Sequence, residues 1–339
     1  MLRIFHNTHF EFVKHWRLAA GLTIAFIAAG LLVFAFKRGE LNRSIEFTGG
    51  TLMQLRFTEA PDVSVLRSTI TDAGIEGPEV QQFGSPTEYT VRAQGSKQIE
   101  AQNAGAEGVA RQIEAALDAK FGAEKVEVVR SEAVGPRVGS ELARGAMIAM
   151  VIASLFTLVY LAVRFDWRFG AAAVLATAHD ILVTFAFIML LDIEISLTVV
   201  AAILTLLGYS ANDTIIIFDR VRENLRKQRK GESLRAVLDR AINETLPRSV
   251  LTHATTLAAT LALLFFAGEV IRPFAMVMAF GIFVATFSSI YVAGPVLLWI
   301  ESRYPRATSE AAGRAVRAGT TAEGAVANRP RSTGRVAAN

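Results

Sequence analysis

Asn212 and Asp213 stand side by side inside an apolar run, Ile195–Phe218, long enough to cross a membrane. An ionisable side chain at the centre of such a helix costs roughly 2.5–3.5 kcal/mol on insertion scales, so it calls for a functional reason. Tyr209 and Ile217, at i−4 and i+4 from Asp213, set its stripe against another helix rather than lipid. A second polar pair, His179 and Asp180, falls near the middle of another apolar run. Arg248 and Ser249 open a third, which holds Thr252, His253, Thr255, Thr256 and Thr260. Carboxylates, imidazoles and hydroxyls at this depth suit the uptake and release of a proton. Desolvation favours a neutral Asp and a nearby cation favours its charged form, so Asp213 beside Arg248 would alternate between acid and ion pair. A potential of 100 mV is worth about 2.3 kcal/mol per charge. That is enough to shift a two-state population. Plainer readings stand beside these. Arg248 can be an interface anchor, His179 and Asp180 a structural hydrogen-bonded pair, and the hydroxyls helix-packing or back-bonding groups.

Other chemistries are excluded by composition. The chain has 339 residues and no Cys, so disulfides and thiolate metal sites are ruled out. His6, His9, His15, His179 and His253 form no metal-ligand spacing, and no metal is expected. There is no Gly-Lys-Ser/Thr phosphate loop. The expectation is a protein that is not an enzyme, with no cofactor other than a proton as coupling ion and no nucleic-acid partner. With 52% hydrophobic residues and a mean hydropathy of +0.37, the chain is too apolar for an ordinary soluble protein.

Six runs approach the length of about 20 residues that a span needs: Leu18–Phe36, Gly145–Val163, Phe169–Leu191, Ile195–Phe218, Val250–Phe266 and Phe274–Ile300. The first follows Lys14 and Arg17, as a signal peptide would. It exceeds the usual apolar length of about 7–15 residues and lacks an A-x-A-like site before Lys37, so a retained anchor is expected. Phe10, Phe12 and Trp16 before it read as interfacial aromatics. Arg164 and Arg168 lie between spans two and three, nine Lys/Arg from Arg220 to Arg248 between spans four and five, and seven Arg after Ile300. The opposite loops are short and poor in base. Both termini are therefore expected in the cytoplasm, against a small dissent from Lys37 and Arg38. Asp213 and Arg248 then lie toward the same membrane face. Residues 219–248 read as a basic cytoplasmic amphipathic segment with an apolar stripe at Val221, Leu225, Leu234, Val237, Leu238 and Ile242. Gly231 is expected to break it, and contact with anionic lipid is expected there. The tail, 301–339, is expected to be disordered.

The stretch 37–141 then lies outside the membrane. It carries 12 Lys/Arg against 16 Asp/Glu, the opposite bias from the basic loops. Ile45–Phe57 reads as a strand with a bulge or turn at Gly49-Gly50. Val63–Ala73 reads as a helix capped by Asp62. Val80–Phe83 and Glu88–Arg92 read as strands, Ser96–Phe121 as a helix and Lys125–Ser131 as a strand. Gly135-Pro136 reads as the start of a linker. The order β-α-β-β-α-β is the ferredoxin-like pattern. Such a domain is either a stabilising cap or a binder of extended substrate, for instance by strand addition.

Several of these residues occur in strings: EFTGGT at Glu46–Thr51, VGPRVGSEL at Val134–Leu142, RFDWR at Arg164–Arg168, AHD at Ala178–Asp180, IEISLT at Ile193–Thr198, GYSANDTIIIFDRVREN at Gly208–Asn224 and PRSVLTHATTL at Pro247–Leu257. In these strings the chain resembles the SecD/SecF family, bacterial protein-translocation membrane subunits of the RND superfamily. The likeness runs from Phe12 to about Tyr304 and covers the SecF half alone. It implies a helical polytopic fold of six spans, with one small α+β ferredoxin-like domain between the first two. It also implies pairing with a six-span SecD in the bacterial cytoplasmic membrane. Association with the SecYEG channel, the SecA motor, YajC and the translocating preprotein is implied too, with the proton-motive force driving late steps of translocation. In that family the Asp of the fourth span and the Arg opening the fifth serve the proton pathway, which carries over to Asp213 and Arg248, with Asn212 beside them. His179, Asp180, Thr252, His253 and Thr256 are candidates for a further polar path. Glu46, Gly49, Gly50 and Gly208 belong to structural motifs. Glu46 departs from the family's usual Asp, which adds a methylene and keeps the carboxylate. Two rivals are a small-molecule or lipid exporter subunit of the same superfamily and a structural assembly factor.

Overall fold

The computed structural model describes residues 8–75, 77–93, 105–227, 232–268 and 270–304. Six helical segments among them are long and apolar enough to cross a membrane. The first helix, α1 (Trp16–Phe36), follows a short 3-10 turn at Phe12–His15. A separate domain comes next: α2 (Ile45–Thr48), β1 (Gly50–Phe57), α3 (Val63–Asp72), β2 (Glu79–Gln82), β3 (Glu88–Ala93), α4 (Gly105–Phe121) and β4 (Val126–Val134). The bundle resumes with α5 (Pro136–Arg164), α6 (Trp167–Leu190), α7 (Leu197–Arg226), α8 (Leu234–Phe266), α9 (Arg272–Tyr291) and α10 (Ala293–Arg303).

The sheet has the order β2-β3-β1-β4 with every neighbour antiparallel, which is the ferredoxin-like arrangement expected from the strand and helix order. Met53, Leu55, Tyr89 and Val91 point to one face and bury against Leu66 and Ile70 of α3 and Ile113 and Leu117 of α4. Asp62 caps α3 as expected, accepting a bond from the Ser64 N–H at 2.7 Å. A bulge on β4 shifts its register between Gln54 and Leu55 of β1.

Four boundaries differ from the sequence reading. Ile45–Thr48 is a helical turn rather than strand, and β1 begins only at Gly50. Gly49 breaks the two with a φ of 72°, and a Cβ there would come within 2.8 Å of the Pro136 Cα. Gly135-Pro136 starts a helix instead of a linker: Gly135 is the cap of α5 and Pro136 its first residue, a position where the missing N–H costs nothing. Residues 219–248 form no separate amphipathic unit. They are the end of α7 and the start of α8, two rods that extend past the apolar spans; Gly231 and the rest of 228–231 lie outside the described residues. The sixth span is broken at Val292 into α9 and α10. The start of the expected helix Ser96–Phe121 and the tail 305–339 also fall outside the described residues.

Within the bundle, α6, α7 and α9 form the centre, and α1 and α5 stand at the edge with most of their apolar side chains exposed. Gly281 of α9 accepts the Leu206 side chain of α7 where no Cβ would fit, a close helix approach made by a small residue. Two apolar clusters fill the bundle. One is built around Phe169, Phe218 and Leu238 at the end away from the sheet. The other is built around Ile188, Val199 and Ile282 at the end beside it.

Candidate functional site

Between those apolar clusters lies a polar layer built mostly on α7. Asp213 is 4% exposed. Its Oδ1 accepts a hydrogen bond from the Ser249 hydroxyl of α8 at 2.7 Å, and its Oδ2 has no partner among the described residues. One turn along α8, His253 is buried with Nδ1 2.6 Å from the Ser249 carbonyl, and its Nε2 has no partner either. Tyr209, one turn before Asp213, packs edge-on against the His253 ring at 5.3 Å. Its hydroxyl lies 3.5 Å from the Thr252 carbonyl and hydrogen-bonds Thr256. The buried Thr214 hydroxyl is likewise unpartnered. A buried polar atom without a partner costs about 1–3 kcal/mol. Several of them are gathered in this one layer.

Asp180 of α6 is 6% exposed and fully engaged. Its Oδ2 accepts from Ser210 of α7 at 2.5 Å and from Ser288 of α9 at 2.6 Å, and its Oδ1 lies 2.9 Å from His179 Nδ1. Three central helices thus meet on one carboxylate. Ser210 precedes Asp213 by three residues on α7, so Asp180 is bonded to a position about one helical turn before Asp213.

The sheet domain is joined to the start of α7. Glu46 Oε2 accepts from the Leu197 N–H at 2.6 Å and from the Ser44 hydroxyl at 3.2 Å, so a carboxylate sits where the helix dipole is positive. Ser196 caps the same helix through the Val199 N–H. The Ser44 N–H donates to the Ile195 carbonyl, and the Ile195 N–H donates to the Asn42 carbonyl. Arg92 of β3 reaches Glu194 at 2.6 Å and Glu79 at 3.4 Å. Burial pushes the Glu194 carboxyl above its ordinary range; Arg92 opposes this, while Glu46 and Glu79 add to it. A cavity of about 260 Å³ opens here between the polar face of the sheet and the bundle.

Residues 113–303 match the family described as protein export membrane protein SecD/SecF, C-terminal, and residues 40–61 match the SecD/SecF GG motif. A protein translocase subunit SecF from Gemmatimonas aurantiaca is 69% identical over 328 residues, covering 96% of this chain and 98% of that protein. The chain belongs to the SecD/SecF family. A SecF subunit from Vibrio alginolyticus is 40% identical, covering 85% of this chain and 88% of that protein. A crystal structure of SecDF from Thermus thermophilus, described as translocon-associated, aligns with a TM-score of 0.74 at 35% identity, covering 87% of this chain. A second SecDF structure, in a super-membrane-facing form, aligns at 0.61 and 36% identity over 90% of this chain. The chain spans 39% and 40% of those two longer chains.

The family strings meet at two places. The GG motif is a joint: Gly49 fits against Pro136 of α5, and a Cβ on Gly50 would strike the Ala93 carbonyl at 2.8 Å. The fourth- and fifth-span strings meet at the polar layer, bringing Asp213, Ser249 and His253 together. Arg248 is not part of that contact. It is exposed and has no ion-pair partner among the described residues. Asn212 is also exposed and makes no hydrogen bond there. Gly208 is exposed with open space where a Cβ would stand. Thr252 carries Tyr209 through its carbonyl, and the Thr255, Thr256 and Thr260 hydroxyls donate to carbonyls one turn back. Ser210, Ser288, Arg92 and Glu194 were not legible as site residues. For the two serines the available signal was a hydroxyl in an apolar span, which needs a partner.

Proposed function

We propose that this chain is an accessory subunit of a protein-export translocase and converts proton passage through Asp213 into movement of its helices. The observation that carries the reading is the buried Asp213 carboxylate, held by one hydroxyl, with no partner for its second oxygen and no paired cation among the described residues. Arg248 adjoins Ser249 on α8, about 100° round the helix axis. A rotation of α8 that exchanges Ser249 for Arg248 would present a cation to Asp213 and release its proton.

Half the site belongs to a partner in this reading. The exposed stripe Ala201, Thr205, Gly208 and Asn212 on α7 is small and polar, a composition suited to another helix rather than to lipid. A six-span SecD is the partner that fits, as in the single SecDF chains. The basic helix ends then face the cytoplasm with both termini, and the sheet domain faces outward in the bacterial inner membrane. SecYEG, SecA, YajC, the preprotein and anionic lipid at the Arg-rich helix ends complete the assembly. Asp213→Asn, assayed in inverted membrane vesicles for gradient-dependent completion of preprotein translocation, tests this. The gradient-dependent part is expected to fall tenfold or more, since about 2.3 kcal/mol per charge per 100 mV is forfeited. Undiminished completion would refute the assignment.

A further inference from the structure

We propose that His179 and Asp180 form a second proton-carrying unit in series with Asp213, with His179 Nε2 as its acceptor atom; this rests on the proton-coupled reading above. Asp180 Oδ2 accepts from the hydroxyls of Ser210 and Ser288. A carboxylate so occupied takes a third bond at Oδ1 only from a donor, and His179 Nδ1 lies there at 2.9 Å. The imidazole proton therefore sits on Nδ1, leaving the Nε2 lone pair free. That nitrogen is buried and has no partner among the described residues. A neutral imidazole with a carboxylate behind one nitrogen and an open lone pair on the other is arranged to accept a proton. The Asp180 charge would stabilise the resulting imidazolium.

The surroundings accommodate both charge states. The Ser288 hydroxyl lies 2.6 Å from Asp180 Oδ2 and 3.2 Å from the Ala285 carbonyl. If the proton passes from His179 Nδ1 to Asp180 Oδ1, the acid donates back to Nδ1 while Oδ2 goes on accepting from Ser210 and Ser288. No atom has to move far. A cavity of about 10 Å³, lined by Asp180, Thr177, Thr184 and Ser210, adjoins the carboxylate. That is roughly the least room one water needs, beside Asp180 and three hydroxyls in a lining otherwise apolar. Ser210 leads to Asp213 within one turn of α7, and the Ser249 hydroxyl and His253 Nε2 continue the layer on α8. The other titratable or charged groups of the layer are Asp213, Tyr209 and His253; Arg248 lies exposed at its margin. Among the described residues, His179 is the one basic side chain paired with Asp180.

The test uses the chain assembled with its six-span partner in proteoliposomes under an imposed pH difference. Proton flux is read by an internal dye and translocation by preprotein protection, both across about pH 5.5 to 8.5, the range in which an imidazole titrates. His179→Gln, which keeps a donor but cannot carry the proton, should lower flux about tenfold or more and flatten the imidazole limb of the profile. Asp180→Glu should recover part of the flux that Asp180→Asn loses. If Asp213→Asn abolishes flux while His179→Gln keeps the wild-type flux and profile, the relay is wrong and the Asp213 reading stands. If Asp213→Asn leaves flux and gradient-dependent completion intact, the underlying reading itself has failed. Should His179→Gln fail to assemble, infrared difference spectra of the Asp213→Asn complex decide. A remaining protonatable carboxyl band that disappears with added Asp180→Asn supports the relay, and its absence overturns it.

Discussion

At the scale of single residues, the polar layer depends on Ser249. Its hydroxyl is the one donor to Asp213 among the described residues, whereas the threonines further along α8 spend theirs on their own helix. Ser249→Ala should therefore cost about 1–3 kcal/mol in complex stability, because it strips a buried carboxyl of its last partner. Ser249→Thr keeps the hydroxyl and should retain most gradient-dependent translocation. Thermal unfolding and vesicle translocation on both variants check this, and equal losses in the two would show that shape rather than the hydrogen bond matters. Asp213 stood out in the sequence because a carboxylate in an apolar run has few reasons to be there. Its partner was less visible. Arg248 and Ser249 are adjacent, and only the rotation of α8 about its axis decides which of them faces Asp213.

At the scale of elements, α7 joins the two ends of the molecule. Glu46 caps its first turn at Leu197, and Asp213 lies 16 residues on, about 24 Å along a helix rising 1.5 Å per residue. The polar layer and the cap at the sheet domain thus lie on one continuous helix. Arg92 and Glu194 make a second tie beside that cap. Because burial holds the Glu194 carboxyl above its ordinary range, the folded protein binds that proton more tightly than the unfolded chain. The stabilising contribution is therefore present below the unfolded pKa and fades as pH rises through the raised folded value. Glu194→Gln, which mimics the protonated acid, should flatten this part of the stability profile from about pH 4 upward. Melting temperatures of the two proteins across that range would expose the error if their slopes coincide. The elements of the sheet domain were legible from alternation and from Asp62. The helical turn at Ile45–Thr48 was not, since four residues carry too little period and the Gly49 conformation is set by Pro136 across the joint.

At the scale of the whole molecule, the stripe that includes Gly208 and Asn212 remains uncovered in the single chain. With no native cysteine, Asn212→Cys gives a clean reporter. A membrane-permeant maleimide should label it readily in the lone chain and slowly when the six-span partner is co-assembled. Equal labelling in both would place the partner on another face. Composition and hydrophobic period were enough to give six candidate spans and, between the first two, a domain of mixed strand and helix, because these depend on neighbours along the chain and on the cost of polarity in lipid. Which polar atoms meet was decided only by tertiary packing. Ser210 and Ser288 reach Asp180 from helices separated by long stretches of chain, Glu46 caps a helix that begins 151 residues later, and Arg248 turns outward. Those outcomes depend on helix rotation and crossing. Close contacts such as Gly281 against Leu206 constrain both, and no local pattern encodes them.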